Sequence, residues 1–476
     1  MLNNLAALWL FVYGINAYWL TFKHQSAPSP DSLAPAYRPV VSVQLPVYNE
    51  LYVSRRLLEA VCRLDYPVEA LHIQVLDDST DETSTILRAA VEEYRGLGFT
   101  IDYLHRSKRT GFKAGALAAA TPGARGEFVA IFDADFLPPA DWLQRTLVHF
   151  KDPGVGFVQT RWGHVNASYS LLSRLQSLGI DGHFVIEQQA RSANGYLLNF
   201  NGTAGIWRKQ AILDGGGWQA DTLAEDMDLS YRAQLSGWRA LYDNRIVAPA
   251  ELPVTIAAYK QQQYRWAKGS IQCARKLLAP VLTGRYSAVQ KFQAALHLTG
   301  YAVHPLMVLI LLLSVPLLLT GWVGSHPLSV FWGTLMVPAT FGPPVLYLSA
   351  RRELYPRTWL TSVPVVVLLA VLGTGISLSN SRAVVAGLLD RGADFYRTPK
   401  FNLVDTRDRW QGKRYQVPLD SSTLAELCLC AYAGLAVALA VNGQAWGVLP
   451  FLLLYVSGYG YVGGLSLWQA WRAPGQ

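Results

Sequence analysis

LHIQVLDDSTD at residues 71–81 and FVAIFDADF at residues 128–136 are the two stretches that decide the fold. Each is a short apolar run that ends abruptly on a pair of aspartates. A run of this length, bounded by polar residues, is typical of a buried strand. We therefore predict two strands that each carry two carboxylates at the carboxyl end.

The flanking sequence places these strands in a larger alternating pattern. Further strands are predicted at 40–46 and 101–104, and the spacing of apolar residues predicts helices at 51–64, 82–97 and 114–120. Alternation of strands and helices indicates an α/β domain with a mainly parallel sheet. Ligands of such sheets bind beyond the carboxyl ends of the strands, where both acidic pairs are expected.

Charged residues near these strand ends suggest a divalent cation and a diphosphate. Asp133 and Asp135 supply hard oxygen ligands of the kind that Mg²⁺ or Mn²⁺ prefers, with places left for phosphate oxygens. A basic turn at 106–113 suits a diphosphate. Each signal has a plain structural alternative, a capped turn or a solvated basic surface. Their shared placement at strand ends favours a binding site.

Charge is distributed very unevenly along the 476 residues, of which 51% are apolar and 16% charged, with a net charge of +8. Residues 38–291 carry 28 basic and 25 acidic side chains, whereas 292–350 and 427–471 carry none. These values exclude a disordered chain, a disulfide scaffold and a fibrous repeat. Nucleic acid is not an expected partner because the soluble part is only +3. The remaining basic excess lies beside apolar runs, where membrane lipids are the expected partner.

Apolar segments long enough to span a bilayer flank the soluble part on both sides. Five spans are predicted, at 2–22, 297–320, 328–349, 424–441 and 446–468. The first lacks a signal peptide's basic start and cleavage site, so we expect a retained helix. Segment 359–379 lies between basic flanks and is expected to be re-entrant or interfacial, with a sixth span left open. All basic loops are then cytoplasmic, with the N-terminus outside and the C-terminus inside a plasma or inner membrane.

Two clusters follow the predicted sheet. Leu223–Asp228 opens an amphipathic helix with three acidic residues, which could simply complement the helix dipole. Gln261–Gly269 is a polar patch on a helix that leads to the membrane; an interfacial belt would explain its Trp and Lys but not its run of Gln.

The whole set of motifs resembles one family. Asp77-Asp78, Asp133-x-Asp135, Glu225-Asp226 and Gln262-x-x-Arg265-Trp266, in this order, look like the signature of inverting, processive family-2 glycosyltransferases with a GT-A fold. Residues 109–117, 132–136, 199–208 and 225–232 most resemble the cellulose synthase-like A and C branches, the plant mannan, glucomannan and xyloglucan-backbone synthases. Ala224 departs from the Thr or Val of many relatives, which we expect to change only a local contact.

The resemblance implies an architecture: a cytoplasmic α/β GT-A (Rossmann-like) catalytic domain inserted in an α-helical multi-span membrane domain. The expected boundaries are a transmembrane helix and linker at 1–37, the glycosyltransferase domain at 38–258, interfacial helices at 259–291, two transmembrane helices at 292–350, re-entrant or interfacial helices at 351–392, a gating-type loop at 393–417 and two transmembrane helices at 418–476. No further regulatory domain is expected after the last span.

The resemblance also implies residue roles. Asp226 would be the general base beside Glu225, while Gln262 and Arg265 would steady the leaving diphosphate and Trp266 would stack under the acceptor sugar. The remaining roles are nucleotide-sugar binding by Tyr48, Glu50, Asp77, Asp78, Lys113, Asp133 and Arg265; metal binding by Asp133 and Asp135; acceptor binding by Asn201 and Gly202; and gating by Phe395, Thr398 and Lys400. In the gating segment, Arg397 and Pro399 differ from the pattern of cellulose synthases.

The expected activity is transfer of hexosyl units from a nucleotide sugar, UDP-glucose before GDP-mannose, to a growing β-linked polysaccharide that is translocated through the spans. The alternative is a non-processive glycolipid glycosyltransferase acting on a ceramide- or diacylglycerol-type acceptor, since Gln-x-x-Arg-Trp occurs there too. Intact acidic motifs argue against a silent transporter or scaffold. Donor sugar, linkage and oligomeric state stay open.

Overall fold

A seven-stranded sheet organises the soluble part of the chain. The computed structural model describes residues 2–25, 38–325, 327–389 and 397–472. The strands are β1 (Val41–Val47), β2 (Leu71–Asp77), β3 (Thr100–His105), β4 (Phe128–Ile131), β5 (Val155–His164), β6 (Gly205–Arg208) and β7 (Arg239–Ala250). They lie in the order β3-β2-β1-β4-β6-β5-β7, and β6 alone runs antiparallel to its neighbours.

The four predicted strands and their parallel pairing are confirmed. Parallel ladders join β1 to β2 and β4, and β2 to β3. Because β1, β2 and β4 are adjacent and parallel, their carboxyl ends meet at one edge and bring the two acidic pairs together. Sequence reasoning did not find β5, β6 and β7, of which β6 is only four residues long.

Helices cover both faces of the sheet and continue into an apolar bundle. In chain order they are α1 (Leu2–Lys23), α2 (Ser54–Cys62), α3 (Thr83–Gly96), α4 (Phe112–Ala120), α5 (Trp142–Leu147), α6 (Leu171–Asp181), α7 (Gln189–Ala193), α8 (Lys209–Asp214), α9 (Glu225–Leu235), α10 (Ile256–Thr283), α11 (Ala288–Leu298), α12 (Val303–Leu319), α13 (Trp322–Ser325), α14 (Pro327–Leu354), α15 (Val363–Gly375), α16 (Ser377–Leu388), α17 (Ser422–Asn442) and α18 (Leu449–Arg472). A π-helical turn, Gly182–Gln188, joins α6 to α7 without a break.

Two apolar cores sandwich the sheet because its strands are buried on both faces. One packs β1, β2 and β4 against α2, α3 and α5 through side chains such as Val43, Ile73 and Trp142. The other packs the opposite face against α4, α8 and α9 through Leu117, Trp207 and others. This burial fixes the strand ends on which the acidic residues lie.

Among the described residues, four helical segments are long and apolar enough to cross a membrane: Leu2–Lys23, Gly300–Leu319, Ser422–Asn442 and Trp446–Arg472. They match four of the five predicted spans. The fifth, α14, is interrupted by Pro338, Pro343 and Pro344 and is not among them. Helices Trp359–Gly375 and Ser377–Leu388 meet at a 48° bend, which fits either a broken span or a re-entrant segment.

The soluble domain packs directly against this bundle through one long helix, α10. Helix α10 begins in the soluble domain and packs along α16 and α18. Its Lys260, 3% exposed, lies 3.0 Å from the carboxylate of Glu426 on α17, which is fully buried. The interfacial segment predicted at 259–291 is therefore α10, a bend and the start of α11, closely packed against apolar helices.

Candidate active site

One cleft opens at the carboxyl edge of the sheet, between the strand ends, α9, α10 and the segment from Arg397 to Lys400. Most of the predicted site residues line it: Tyr48, Glu50, Asp78, Lys113, Asp133, Asp135, Asn201, Gly202, Glu225, Asp226, Gln262, Arg265, Trp266, Thr398 and Lys400. Residues contributed by segments up to 350 positions apart thus share one surface. Phe395 lies outside the described residues.

Asp226 is the carboxylate that is predicted to act as the general base. It lies in the first turn of α9, and its Oδ1 accepts a hydrogen bond from the backbone N–H of Met227 at 2.8 Å. Burial, reinforced by the charge of neighbouring Glu225, raises the pKa of Asp226 to about 7. Burial also raises the pKa of Glu225, against the opposing charge of Lys113. Asp226 itself is half-buried, and a carboxyl group with a pKa near neutrality is suited to general base catalysis.

Lys113 connects this carboxylate pair to the metal motif. Its Nζ donates to Oδ1 of Asp133 at 2.5 Å and to the backbone oxygen of Gly202 at 2.9 Å. Burial alone would lower the pKa of Lys113, but the carboxylates of Asp133 and Glu225 outweigh burial and raise it. The ammonium group is therefore held charged in the middle of the cleft.

Gly202 is placed where a side chain would disturb both charges. Its φ is +83°, in the left-handed region, and a β-carbon built on it would lie 2.9 Å from Oδ2 of Asp226 and 3.4 Å from Nζ of Lys113. The absence of a side chain at Gly202 lets the loop between α7 and β6 approach the carboxylate of Asp226 closely.

Asp135 faces a second lysine. Nζ of Lys400 donates to Oδ2 of Asp135 at 2.6 Å and also to the backbone oxygen of Glu251. Glu251 in turn accepts from the backbone N–H of Phe401 at 2.8 Å, so the segment after Arg397 is held against the end of β7. Thr398 is buried beside it, and its hydroxyl has no hydrogen-bond partner among the described residues.

The two metal-motif carboxylates fit a hard divalent cation, although not as a complete protein cage. Asp133 and Asp135 offer oxygen donors, and each is paired with a lysine that a cation would have to displace or join. Across the described ranges, no three His, Cys, Asp or Glu side chains converge as a metal site. Such a set suits Mg²⁺ or Mn²⁺ bound mainly through a substrate's phosphates.

The prediction for Asp77 needs correction, whereas Asp78 lines the cleft. The Asp77 carboxylate is fully buried and accepts from the backbone N–H of Ser79 at 2.8 Å and the hydroxyl of Tyr103 at 2.5 Å. Although burial opposes them, these hydrogen bonds lower the pKa of Asp77. Asp77 therefore holds the strand-end turn. Arg106 donates two hydrogen bonds to the carboxylate of Asp78. The charge of Arg106 in the predicted basic turn is therefore paired with Asp78.

The end of the cleft that is predicted to hold the nucleobase carries a stacked pair of side chains. The guanidinium of Arg109 lies 3.6 Å from the centroid of the Tyr48 ring, a cation–π contact, and burial lowers the pKa of Arg109. Nearby, burial raises the pKa of Glu50 to about 8 even though Arg397, 3.2 Å away, opposes the shift. Lys108, also in the predicted basic turn, is exposed.

Three side chains of the Gln-x-x-Arg-Trp motif enter the cleft from the first half of α10. Burial lowers the pKa of Arg265, while the carboxylates of Glu225 and Asp133 act in the opposite direction. The ring of Trp266 lies 6.4 Å from that of Trp162 on β5. Gln262, Arg265 and Trp266 share one helix face because they are three and four residues apart.

Sequence reasoning missed three residues of this surface, Trp162, Glu251 and Arg397 as a charged cleft residue. Trp162 and Glu251 belong to β5 and to the turn after β7, strands that were not predicted. For Arg397, its place in the gating-type segment was a usable signal, but its packing onto the ring of Tyr415 at 3.9 Å needed the structure.

Acidic strand ends, a central lysine, the Glu225–Asp226 pair and an arginine–tryptophan helix surround one cleft, the arrangement expected of a glycosyltransferase. The chain belongs to glycosyl transferase family 21, whose family profile matches residues 3–354. It is 45% identical over 262 residues to a probable glucomannan 4-beta-mannosyltransferase 7 of Oryza sativa subsp. japonica. That match covers 53% of this chain, and the chain spans only 44% of the length of this curated relative. The family match places the protein among the glycosyltransferases.

A solved structure shares the fold. The mannosyltransferase PcManGT from Pyrobaculum calidifontis, solved in complex with GDP-Man and Mn²⁺, matches with a TM-score of 0.54 at 24% identity. The match covers 82% of this chain and all of that one. At this identity it establishes the fold alone, a mixed α/β sheet of the GT-A type.

Proposed function

We propose that this protein is an inverting membrane glycosyltransferase of the cellulose synthase-like type, which transfers hexosyl units from a nucleotide sugar to a growing β-linked polysaccharide and passes the product into its own helix bundle. The observation that carries the proposal is the half-buried Asp226, with a pKa of about 7, in one cleft with the cations Lys113 and Arg265, both close enough to interact electrostatically with it. A base on one side and cations on the other are what inverting sugar transfer requires.

In this mechanism Asp226 takes the proton of the acceptor hydroxyl as that oxygen attacks C1 of the donor sugar. The bond from C1 to the β-phosphate oxygen breaks, the nucleoside diphosphate leaves with the bonding electrons, and C1 of the transferred sugar ends with inverted configuration. Lys113 and Arg265 stabilise the negative charge that builds up on the leaving diphosphate. A second carboxylic acid is not needed because the leaving group departs as an already ionised phosphate.

Asp133 and Asp135 would hold the divalent cation, which when bound adds positive charge at the diphosphate. PcManGT is described with Mn²⁺ and GDP-Man, which supports trying these first here. Tyr48, Arg109 and Asp78 would contact the nucleoside, and Trp266 with Trp162 would form a stacking platform for acceptor sugars.

The donor order expected from the sequence is reversed in this proposal. GDP-mannose comes before UDP-glucose because the rice relative, 45% identical over 262 residues, is described as a probable glucomannan mannosyltransferase. A helix bundle packed against α10 supports a polymer acceptor that leaves through the membrane. The catalytic domain would face the cytoplasm of a plasma or inner membrane.

The test is transfer by the purified full chain in lipid nanodiscs with labelled GDP-mannose or UDP-glucose and Mn²⁺ or Mg²⁺. We expect a long product that an endo-mannanase or endoglucanase digests. Asp226→Asn should lower transfer at least about 100-fold and leave GDP and UDP affinity within twofold. Asp221→Asn, which changes an exposed aspartate four residues before Glu225, is the matched control.

A single sugar on a chloroform-soluble lipid would contradict the polysaccharide proposal and establish the glycolipid alternative. Near-normal turnover by Asp226→Asn would contradict the assignment of the base.

A further inference from the structure

Asn201, one residue before Gly202, belongs to a hydrogen-bonded chain of four side chains. Asn201 Oδ1 accepts from Nε2 of Gln188 at 2.5 Å, and Asn201 Nδ2 lies 3.1 Å from Nε2 of His183. His183 Nδ1 lies 2.9 Å from Oε2 of Glu187. Gln188, His183 and Glu187 all belong to the π-helical turn Gly182–Gln188. Single turns of this kind inside α-helices are frequent at functional sites.

Both ends of this chain are groups that can only accept hydrogen bonds, and this fixes every orientation between them. At one end the Glu187 carboxylate accepts, so Nδ1 of His183 carries a proton; Nε2, which faces the amide nitrogen of Asn201, is then the acceptor of a neutral ring. At the other end the backbone oxygen of Asn199 accepts from Nε2 of Gln188 at 3.1 Å. Gln188 therefore presents its second N–H to Asn201 Oδ1, and Asn201 presents an N–H to His183.

One amide N–H of Asn201 is left over among the described residues, and it belongs to a residue that lines the cleft. The backbone holds it there firmly, because the N–H of Asn201 donates to Oε1 of Gln159, a fully buried side chain, at 2.8 Å. The next residue is Gly202, whose β-carbon position is 2.9 Å from Oδ2 of Asp226. The residue that carries the spare donor therefore lines the same cleft as Asp226, next to the glycine that contacts it.

The π-helical turn also faces the apolar bundle. A β-carbon on its first residue, Gly182, would lie 2.4 Å from the ring of Tyr347 on α14. The segment that carries His183 and Glu187 therefore touches α14 at its first residue and reaches the cleft through Asn201. The nucleotide end of the cleft, marked by Tyr48 and Arg109, is formed by other elements.

We propose that Glu187 and His183 are positioning residues that orient the Asn201 amide. Its remaining N–H then donates a hydrogen bond to the hydroxyl oxygen of the sugar acceptor next to Asp226. This inference rests on the proposed function and deepens it by separating acceptor recognition from donor recognition. Nothing in the sequence marked His183 or Glu187, since neither lies in an acidic or aromatic motif.

The experiment compares two reactions of the same donor site. Donor hydrolysis uses water as the acceptor and does not need a held sugar hydroxyl, whereas transfer does. With Mn²⁺, GDP-mannose plus mannohexaose and UDP-glucose plus cellohexaose are the probes, and GDP and UDP affinities are measured alongside. We expect His183→Leu to lower the ratio of transfer to hydrolysis at least about tenfold, with nucleotide affinity unchanged within twofold. His183→Gln, whose Oε1 can accept from Asn201, should restore most of the ratio.

Two further variants keep the test decisive. Glu187→Gln preserves the shape of the side chain and should lower the same ratio by a smaller factor, which serves if His183→Leu does not fold. His149→Leu is the matched control, because His149 forms a similar 2.9 Å pair with Asp243 away from the cleft. It should leave the ratio unchanged.

A normal ratio in His183→Leu, or a loss of transfer and hydrolysis together, overturns the inference and leaves the proposed function standing. A wild-type protein that consumes neither nucleotide sugar overturns both.

Discussion

At the scale of single residues, the pair Glu225–Asp226 sets the pH dependence. The base must be deprotonated to work, and burial raises the pKa of Asp226 to about 7. We expect kcat/KM to rise with pH through about 7 and then level off; the apparent pKa belongs to the coupled pair rather than to one carboxyl group. A pH–rate profile between 5 and 9 in a buffer of constant ionic strength measures it. A profile flat from pH 5 upward would contradict this assignment.

The same pKa predicts a stability effect of opposite sense. A carboxyl group whose pKa is raised on folding binds its proton more tightly in the folded state. Stability is therefore lost as pH rises from about 4, the unfolded value, to about 7. Asp226→Asn removes this loss, so the inactive variant should unfold at a higher temperature than wild type at pH 8 and differ less at pH 5. Thermal unfolding in detergent at both pH values checks it.

Gly202 gives a third prediction at this scale. Gly202→Ala requires a left-handed backbone for a residue with a side chain and pushes a methyl group against Asp226, 2.9 Å away. Transfer should fall at least tenfold. Gly98→Ala separates the two effects, since Gly98 has a φ of +94° and nothing within 4 Å of its β-carbon position. Gly98→Ala should lower stability slightly and keep activity; equal activity losses would contradict the contact argument.

At the scale of elements, the ion pair between α10 and α17 matters most. Lys260 is 3% exposed and lies 3.0 Å from the fully buried Glu426. Lys260 is also two residues before the start of the Gln-x-x-Arg-Trp motif. Removing one member of a buried pair leaves an uncompensated charge, at a cost of about 3–5 kcal/mol. Lys260→Met should therefore lower thermal stability strongly and reduce transfer through misplacement of α10.

The double variant Lys260→Met/Glu426→Leu removes both charges and should recover most of the stability. The matched control is the pair Arg414–Glu82, in which both side chains are 58% exposed. Arg414→Gln should leave thermal stability nearly unchanged, because water and salt screen an exposed ion pair. If the double variant were less stable than Lys260→Met, the unpaired-charge explanation would fail.

At the scale of the whole molecule, charge predicts orientation. The basic segment 397–417 is expected in the cytoplasm and the uncharged turn after α17 outside. In a variant whose four cysteines are replaced, a membrane-impermeant maleimide applied to intact cells should label Gln444→Cys and not Thr406→Cys. Both positions are exposed, and both should react after permeabilisation. Labelling of Thr406→Cys in intact cells would reverse the predicted topology.

The candidate site was predictable from the sequence where its residues follow strong local patterns. Asp133, Asp135 and Asp226 lie at the end of an apolar strand or the start of an amphipathic helix, so both their existence and their meeting point could be inferred. Asp77 could not be separated from Asp78, because which of two adjacent carboxylates turns inward depends on Tyr103 from a neighbouring strand. His183 and Trp162 were invisible for the same reason: each acts through a contact with a distant segment.

The sequence by itself determined the architecture of this protein: an α/β domain with acidic strand ends, flanked by apolar helices. Hydrophobic periodicity and charge are local properties that the chain carries before it folds. Only the tertiary structure decided which carboxylate has a pKa near neutrality, which lysine faces which aspartate, and how Asn201 is oriented. Those properties depend on burial and on partners far apart in sequence, because a pKa or a hydrogen-bond direction is fixed by the groups that surround it in space.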